Sequence, residues 1–292
     1  MKQIYLVFFI LILTSCTYVR DQNKINTNTP VSNEVTSPTN TVNLNNMDQS
    51  LTSTISAESS NIKDNSLIWH PSGTVEVPIL LYHHVFIGKP TNAYAVSLDQ
   101  FREQLDYLQK NGFQTISVSL LAQAITKGAY LPEKPIVITF DDGNENVFLN
   151  AFPLMKQFGF VGTLNIIADR VNADGFLTEN QIKEIQINGW EIVNHSMTHA
   201  DLVAHPDLLR NEIGNSKHNL ETITGTSILS FAYPFGKADG VTKDWIKRLG
   251  YSAGIGLGIT NTQSIQSLFY LSRREVNSQM DISDFEKLLT YN

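Results

Sequence analysis

The side chains best suited to chemistry follow two apolar runs that are typical of buried strands. The run at 134–140 leads into the neighbouring carboxylates Asp141 and Asp142, and a later run leads into His195 and His199. Because adjacent residues at a strand end point in different directions, one aspartate can bind a metal ion while the other faces a substrate. Two imidazoles four residues apart converge on one ion where the chain turns helically.

These residues form a candidate set of two histidines and one carboxylate. Such a set leaves room for water and fits a catalytic divalent ion, zinc above all. Non-haem iron uses a similar set, and the residues alone leave it open. The chain has one cysteine, which excludes a multi-thiolate zinc site and an intramolecular disulfide framework. Any metal ion is therefore held by histidines and carboxylates.

Strands and helices alternate from about residue 68 onward. Short apolar runs predict strands at 77–82, 114–116, 134–140, 161–167, 190–193, 228–232 and 251–255. Helical spacing and end signals predict helices at 98–110, 118–125, 147–158, 178–187, 206–222, 244–249 and 281–289. Thr178 and Gln181 stand at the two positions of a capping box. The alternation indicates a parallel sheet, and polar residues at the strand ends favour a closed barrel, whose sites lie at those ends.

Four segments resemble the motifs of the polysaccharide deacetylases, the NodB-like enzymes of carbohydrate esterase family 4. Residues 139–143 and 195–199 match the first two motifs in order, spacing and strand context. Residues 231–236 resemble the third motif, and residues 271–273 fall where the last motif is expected. The resemblance implies an α/β fold, a distorted (β/α) barrel of about seven parallel strands, and a metal-dependent N- or O-deacetylase that acts on a glycan.

The resemblance also implies a role for each matching residue. Asp142, His195 and His199 would hold the metal ion, and Asp141 would be the general base that takes a proton from metal-bound water. The backbone N–H of Phe235, in the third motif, would stabilise the oxyanion. We expect zinc first, with nickel, cobalt or manganese as alternatives.

The chain departs from the family pattern in three places. The aspartate and tryptophan pattern of the fourth motif is not evident near residues 251–260. Ala232 stands where the third motif commonly has an arginine that orients the base, and Arg273 stands where the last motif commonly has a histidine as general acid. We expect Arg273 to turn its guanidinium toward Asp141 and replace the missing arginine, since Arg274 should face the other way on a strand. The combination resembles a branch that includes poly-N-acetylglucosamine and related cell-surface deacetylases.

The general acid must then come from another strand. The strand at 77–82 leads into His83 and His84, and a barrel brings its end beside the others. A Tyr-His pair at this position is common in the branch that the chain resembles. We hypothesise that His83 protonates the leaving amine, with His84 as the weaker candidate. The alternative is a structural His83 bonded to a backbone carbonyl.

The N-terminus resembles a bacterial lipoprotein signal. One positive charge and an apolar run of about ten residues precede the lone cysteine, Cys16. The run is shorter than the roughly 20 residues that a membrane-spanning helix needs. We predict a signal peptide at 1–15, a disordered Asn/Ser/Thr-rich tether at 16–67 lipidated at Cys16, and a deacetylase domain at 68–292. The alternatives are an ordinary signal peptide with an incidental cysteine, and a tail without a spacer role.

Charge and motif content limit the function classes. The formal net charge is −7 and no dense Lys/Arg run occurs, so nucleic-acid binding is not expected. A glycoside hydrolase needs two carboxylates roughly 5–9.5 Å apart, which the adjacent Asp141 and Asp142 do not easily supply. The remaining alternatives are a catalytically decayed glycan-binding lipoprotein and an O-acetyl esterase on a xylan-like polysaccharide.

The expected function is removal of acetyl groups from N-acetylated cell-envelope glycans, of the peptidoglycan or poly-N-acetylglucosamine type. The predicted tether favours a glycan of the cell's own envelope. It also predicts an extracytoplasmic domain, anchored by lipid to the bacterial cell membrane. We expect the protein to be a monomer.

Overall fold

The computed structural model of the protein describes residues 67–90 and 92–290. These residues all belong to one compact unit, Ile62–Asn292. The predicted signal peptide and the predicted tether, apart from its last residue, lie outside the described residues. In the described part of the chain, no helix combines the length and the apolar character that crossing a bilayer requires.

The strands are short, and each of the seven predicted strands overlaps one of them, while the other seven were not predicted. In chain order they are β1 (Ile68–His70), β2 (Val75–Glu76), β3 (Ile79–Tyr82), β4 (His84–Phe86), β5 (Ala95–Ser97), β6 (Gln114–Thr115), β7 (Ala129–Leu131), β8 (Pro135–Phe140), β9 (Thr163–Ile166), β10 (Glu191–Asn194), β11 (Ser230–Ala232), β12 (Ala253–Ile255), β13 (Thr262–Gln263) and β14 (Arg274–Glu275).

Helices occupy the connections between these strands. They are α1 (Leu98–Lys110), α2 (Val118–Lys127), α3 (Phe152–Gln157), α4 (Glu179–Ile187), α5 (Ser216–Thr224), α6 (Gly240–Arg248) and α7 (Ile282–Leu289). Single 3-10 turns lie at Ala168–Arg170, Pro206–Leu208 and Pro234–Gly236, and π-helical turns lie at Val147–Ala151 and Arg210–Asn215.

The main sheet is parallel, and it confirms the expected fold. Its strands run in the order β12-β11-β10-β9-β8-β3-β14, with β6 also paired to β8. The segment 271–275 closes the ring. Leu271 bridges to Ile255 beside β12, and Arg274 pairs with Leu80 of β3. The result is the distorted (β/α) barrel of about seven parallel strands that the sequence predicts.

Side chains of β8 alternate between the inside and the outside of this barrel. Val137 packs in the inner apolar cluster, whereas Ile136 and Ile138 pack in the outer cluster beneath the helices. A strand repeats every two residues, so Thr139 and Asp141 follow Val137 on the inner side. The buried strand thus delivers a carboxylate to the barrel mouth.

The same alternation places the other polar groups. His195 follows the inner residue Val193, and Arg273 follows the inner residue Leu271. Leu271 is fully buried in the inner cluster. Its side chain is therefore part of the core, below the polar residues.

Local chemistry explains the helix boundaries. The predicted capping box of α4 is present, since Thr178 Oγ1 accepts the Gln181 backbone N–H and Gln181 Oε1 accepts that of Thr178. Helix α6 begins four residues earlier than predicted, because Asp239 caps it by accepting the Thr242 N–H at 2.8 Å.

Two predicted helices are interrupted by π-helical turns. At 147–158, Pro153 lacks the N–H that a regular helix would donate to the carbonyl of residue 149, and a π turn precedes it. In the predicted helix 206–222, the Ser216 hydroxyl donates to the Glu212 carbonyl at 2.5 Å, and the Ser216 N–H bonds instead to Asn211. The wider turn contains Glu212, whose carboxylate bonds to the loop between His195 and His199.

Three alternate glycines allow the closing segment to lie against β12 and the residues after it. An added Cβ would stand 2.8 Å from the Phe269 carbonyl oxygen at Gly254, and 2.3 Å from the Tyr270 ring at Gly256. At Gly258 it would stand 2.3 Å from Ser272 Oγ. We call these three residues the glycine row. Because the three glycines are two residues apart, they all lie on the same face of this extended segment, and that face carries no side chains.

Gly254→Ala is expected to lower the free energy of unfolding by about 1–3 kcal/mol, because the new methyl group overpacks a closed seam. The matched control is Gly240→Ala, at the first residue of α6, where an added Cβ meets nothing within 4 Å. Urea unfolding of both variants is the measurement. Equal midpoints for the two variants would contradict the steric role of Gly254.

Candidate active site

A buried ion pair lies at the floor of the site. Arg273 Nη1 donates to Asp141 Oδ1 at 2.6 Å, and Arg273 Nη2 donates to Asp141 Oδ2 at 2.9 Å. Both residues are almost inaccessible, at 3% exposure for Asp141 and 1% for Arg273. Arg273 Nε also donates to the Gly256 carbonyl at 3.0 Å. The guanidinium is therefore held in a fixed plane against the carboxylate.

Asp141 receives a further donor that the sequence analysis missed. Asn165 Nδ2 donates to Asp141 Oδ1 at 2.6 Å from the middle of β9. Burial by itself raises the pKa of Asp141, but the charges of Arg273 and His195 and the Arg273 hydrogen bonds outweigh it and hold the pKa well below its usual range. Asp141 is therefore a carboxylate at neutral pH.

Asp142, His195 and His199 come together beside this pair. Their ligand atoms all lie within 4.8 Å of one another. His195 Nε2 is 3.7 Å from Asp142 Oδ1, and His199 Nε2 is 3.9 Å from the same oxygen. The sequence predicts these three residues as the metal ligands, and the structure places them at one point.

The donor chemistry of this set fits a divalent ion. His195 Nδ1 lies 2.8 Å from the Ala232 carbonyl oxygen, which can only accept, so Nδ1 carries the proton and Nε2 presents its lone pair to the set. Burial, and next the charge of His195, lower the pKa of His199. The lowered pKa of His199 favours the neutral form of its imidazole, which is the form that binds metal.

The backbone around the set is strained. Asp142, Ser196, His199 and Phe235 all have positive φ, at 74°, 69°, 67° and 58°. Among the described residues other than glycine, Asn172 alone shares this conformation. Such backbones cost of order 1–3 kcal/mol each where side chains are bulky, and they cluster at functional sites. In this site the left-handed backbone conformations bring the side chains of Asp142, His195 and His199 close together.

Glu212 fixes the loop between the two histidines. Its Oε2 accepts the backbone N–H groups of Met197 at 3.1 Å and Thr198 at 2.9 Å, and its Oε1 accepts the Thr198 hydroxyl at 2.9 Å. The Ser196 hydroxyl accepts the His199 N–H at 2.9 Å. Glu212 is 1% exposed, and the sequence analysis did not find it because a glutamate within a predicted helix reads as a surface residue.

A pocket of about 410 Å³ opens above these groups. Its walls come from several strand ends and the loops that follow them. The lining residues are Leu81, His83, His84, Asn92, Tyr94, Asp141, Asp142, His195, His199, Phe235, Gly236, Leu257, Arg273 and Glu275. The pocket therefore contains all seven residues that the sequence predicts for catalysis and metal binding.

His83 and His84 stand in different environments within this pocket. His83 Nδ1 is buried and has no hydrogen-bond partner among the described residues, and its ring contacts Tyr94 at 5.1 Å between centroids. His84 Nδ1 instead accepts from Asn146 Nδ2 at 3.0 Å. Burial lowers the pKa of His84. His83 is thus the histidine with an unused nitrogen.

Phe235 forms the wall next to the ligand set. Its ring lies 4.5 Å from that of His199 between centroids, and its side chain is 55% exposed. The following residue must be glycine, because a Cβ on Gly236 would stand 2.4 Å from Leu257 Cγ. The roles of the Phe235 N–H, of His83 and of Arg273 in catalysis remain predictions.

Glu212→Ala is expected to weaken Zn²⁺ binding about 10- to 100-fold, as loss of an outer-shell partner commonly does. Glu212→Gln keeps an oxygen for the two N–H groups and should retain most of the affinity. Calorimetric titration with Zn²⁺ is the measurement. The control is Glu191→Ala, which removes a carboxylate bonded to Ser119 at the far end of β10 and should leave the affinity unchanged. Equal losses in the two alanine variants would refute the positioning role.

Comparison with known proteins shows which family the domain around this site matches. The model of the polysaccharide deacetylase family matches residues 128–254, which include Asp141 and the three-residue ligand set. YxkH of Bacillus subtilis (strain 168), whose name gives it only as a candidate polysaccharide deacetylase, is 28% identical over 211 residues, covering 72% of this chain and 75% of YxkH.

Two further proteins extend this likeness. The poly-beta-1,6-N-acetyl-D-glucosamine N-deacetylase of Escherichia coli (strain K12) is 26% identical over 220 residues, covering 60% of this chain but only 33% of that protein. The structure of the Streptococcus pyogenes deacetylase PplD in complex with acetate has a TM-score of 0.69 and 26% identity, covering 74% of this chain and 99% of PplD. The chain therefore contains a polysaccharide deacetylase domain, of a family of hydrolases.

Proposed function

We propose that this protein removes N-acetyl groups from a cell-envelope polysaccharide of the poly-β-1,6-N-acetylglucosamine type. The observation that carries the proposal is the position of Asp141, oriented by Arg273, beside the Asp142, His195 and His199 set in one pocket. The named substrate of the Escherichia coli relative supports this glycan. The acetate in the PplD structure is the product that such a reaction releases.

A divalent ion held by Asp142, His195 and His199 would supply Lewis-acid activation of water and of the acetyl carbonyl. We propose zinc for this ion, with nickel, cobalt and manganese as alternatives. The fit rests on the donor set described above, two imidazoles and one carboxylate.

The proton-accepting atom of Asp141 follows from its hydrogen bonds. Oδ1 already accepts from both Arg273 and Asn165, whereas Oδ2 accepts from Arg273 alone and lies 3.6 Å from His195 Nε2. Oδ2 therefore faces the ligand set with a free lone pair and takes the proton. The low pKa of Asp141 keeps it ionised, but it also makes Asp141 a weak base, which requires a water molecule of lowered pKa.

The leaving amine needs a proton donor on the opposite side. His83 lines the pocket and its Nδ1 has no partner among the described residues. We assign this donor role to His83. Phe235, whose left-handed backbone turns beside His199, is the proposed source of the N–H that stabilises the oxyanion.

The proposed location rests on the sequence. Lipid on Cys16 and a flexible tether at 16–67 would hold the domain outside the cytoplasm, within reach of glycans at the cell membrane. Peptidoglycan is the second candidate substrate, since it carries the same acetamide group.

The first test is acetate release from β-1,6-linked N-acetylglucosamine oligomers by the full-length protein. Chelation should abolish the release and Zn²⁺ should restore it. Asp141→Asn should reduce kcat by roughly 10²- to 10⁴-fold, the range for loss of a general base, while Zn²⁺ still binds.

The control for Asp141→Asn is Asp244→Asn, a change of the same kind at an exposed aspartate on α6. Peptidoglycan and acetylated xylan serve as parallel substrates. Release from peptidoglycan or xylan alone would replace the proposed glycan. Tight Zn²⁺ binding without release from any of the three would favour the decayed glycan-binding protein.

His83→Ala is expected to lower kcat by about 10²-fold or more, because the amine then leaves without its proton donor. Zn²⁺ stoichiometry should stay the same. The matched control is His218→Ala, an exposed histidine in α5. Loss of bound Zn²⁺ with unchanged turnover per metal ion would show instead that His83 supports the metal site.

A further inference from the structure

Glu275 is an acidic residue of the pocket that the proposed mechanism leaves unused. It pairs with Leu81 across the β14–β3 register, and directly paired residues point to the same side of a sheet. Both residues line the pocket. Glu275 is also the second residue after Arg273, so it occupies the next inward position, roughly 6.6 Å further along the strand.

The Glu275 carboxylate has no counter-ion in this pocket. Among the described residues that line it, Arg273 is the only permanent cation, and both outer nitrogens of Arg273 already bond to Asp141. Arg274 points away and donates to the Lys287 carbonyl at 3.5 Å. The half-buried Glu275 thus presents an uncompensated negative charge to a ligand.

Other residues that line the same pocket suit a sugar ring. Tyr94 and Phe235 are large aromatic residues that line the pocket, and both are more than half exposed. The faces of such aromatic rings pack against the apolar face of a ligand, while the ring edges remain in contact with solvent. Asn92 contributes an amide to the same lining. A sugar that carries a positive charge matches this combination of surfaces.

We propose that Glu275 forms a subsite for a cationic amino sugar, a glucosamine unit from which the acetyl group is already gone. This inference rests on the proposed function, because that reaction generates such units in the substrate chain. The enzyme would then bind partly deacetylated polymer more tightly than fully acetylated polymer. Successive acetyl groups would be removed near one another.

The test is calorimetric binding of two tetrasaccharides to the full-length protein at pH 6 and low salt. One is a β-1,6-linked glucosamine tetramer, and the other is its fully N-acetylated counterpart. Glu275→Gln should weaken binding of the glucosamine tetramer roughly tenfold, because it removes a charge-assisted hydrogen bond. Glu275→Asp, which keeps the charge, should recover part of the loss. Added salt should weaken only the binding that depends on charge.

The matched control is Glu133→Gln, the same change at an exposed acid in the turn before β8. Glu133→Gln should leave both affinities unchanged. Equal losses for the two tetramers in Glu275→Gln would overturn the proposal, as would no loss for either. A collapse of kcat with unchanged binding would assign Glu275 to proton transfer instead. Charge-selective binding by a protein that releases no acetate would support the subsite and refute the proposed function.

Discussion

The buried ion pair between Asp141 and Arg273 connects the closure of the barrel to its chemistry. Arg273 belongs to the segment that bonds to β12 on one side and β3 on the other, so its position is set by ring closure. Two charges removed from water are tolerated only where geometry and extra hydrogen bonds compensate. Here Thr139, Gly256 and Asn165 supply those bonds. A change that opened the ring would therefore also release the Asp141 carboxylate.

Much of this arrangement was predictable, because the position of a residue along a strand determines which side of the sheet its side chain faces and how close it lies to the strand end. The apolar strands, their polar ends and the period of two were enough to bring Asp141, Asp142, His195 and His199 to one rim. The contact of Arg273 with Asp141 was expected from the family resemblance, and strand alternation favoured Arg273 over Arg274, which faces the other way. The barrel itself followed from alternating strands and helices together with the family resemblance. The structure differs from the prediction in helix boundaries, in the π-helical turns and in seven further short strands, β1, β2, β4, β5, β7, β13 and β14.

Other parts depend on contacts that no local pattern encodes. The residues on either side of Asn165 in β9 are apolar, so the sequence around it gives no sign of a polar contact. Its partner Asp141 directly follows a different strand, β8. Glu212 reaches the loop at 196–199 only because a widened helical turn rotates it inward. Among the described residues no hydrogen-bond partner reaches His83 Nδ1, and this is a result of how the surrounding residues pack. Such features appear only once the whole barrel is assembled.

The glycine row has a consequence for how this protein can evolve. The Tyr270 ring fills the space that a side chain at position 256 would need. A large side chain therefore fits at one of these two positions but not at both. A lineage that gains a side chain at position 256 must first lose the bulk of the ring at position 270. The order of such substitutions is therefore constrained, because a chain that carries both side chains must move the Tyr270 ring or the backbone that holds it. The seam that closes the barrel should diverge by paired steps, while exposed loops diverge one residue at a time.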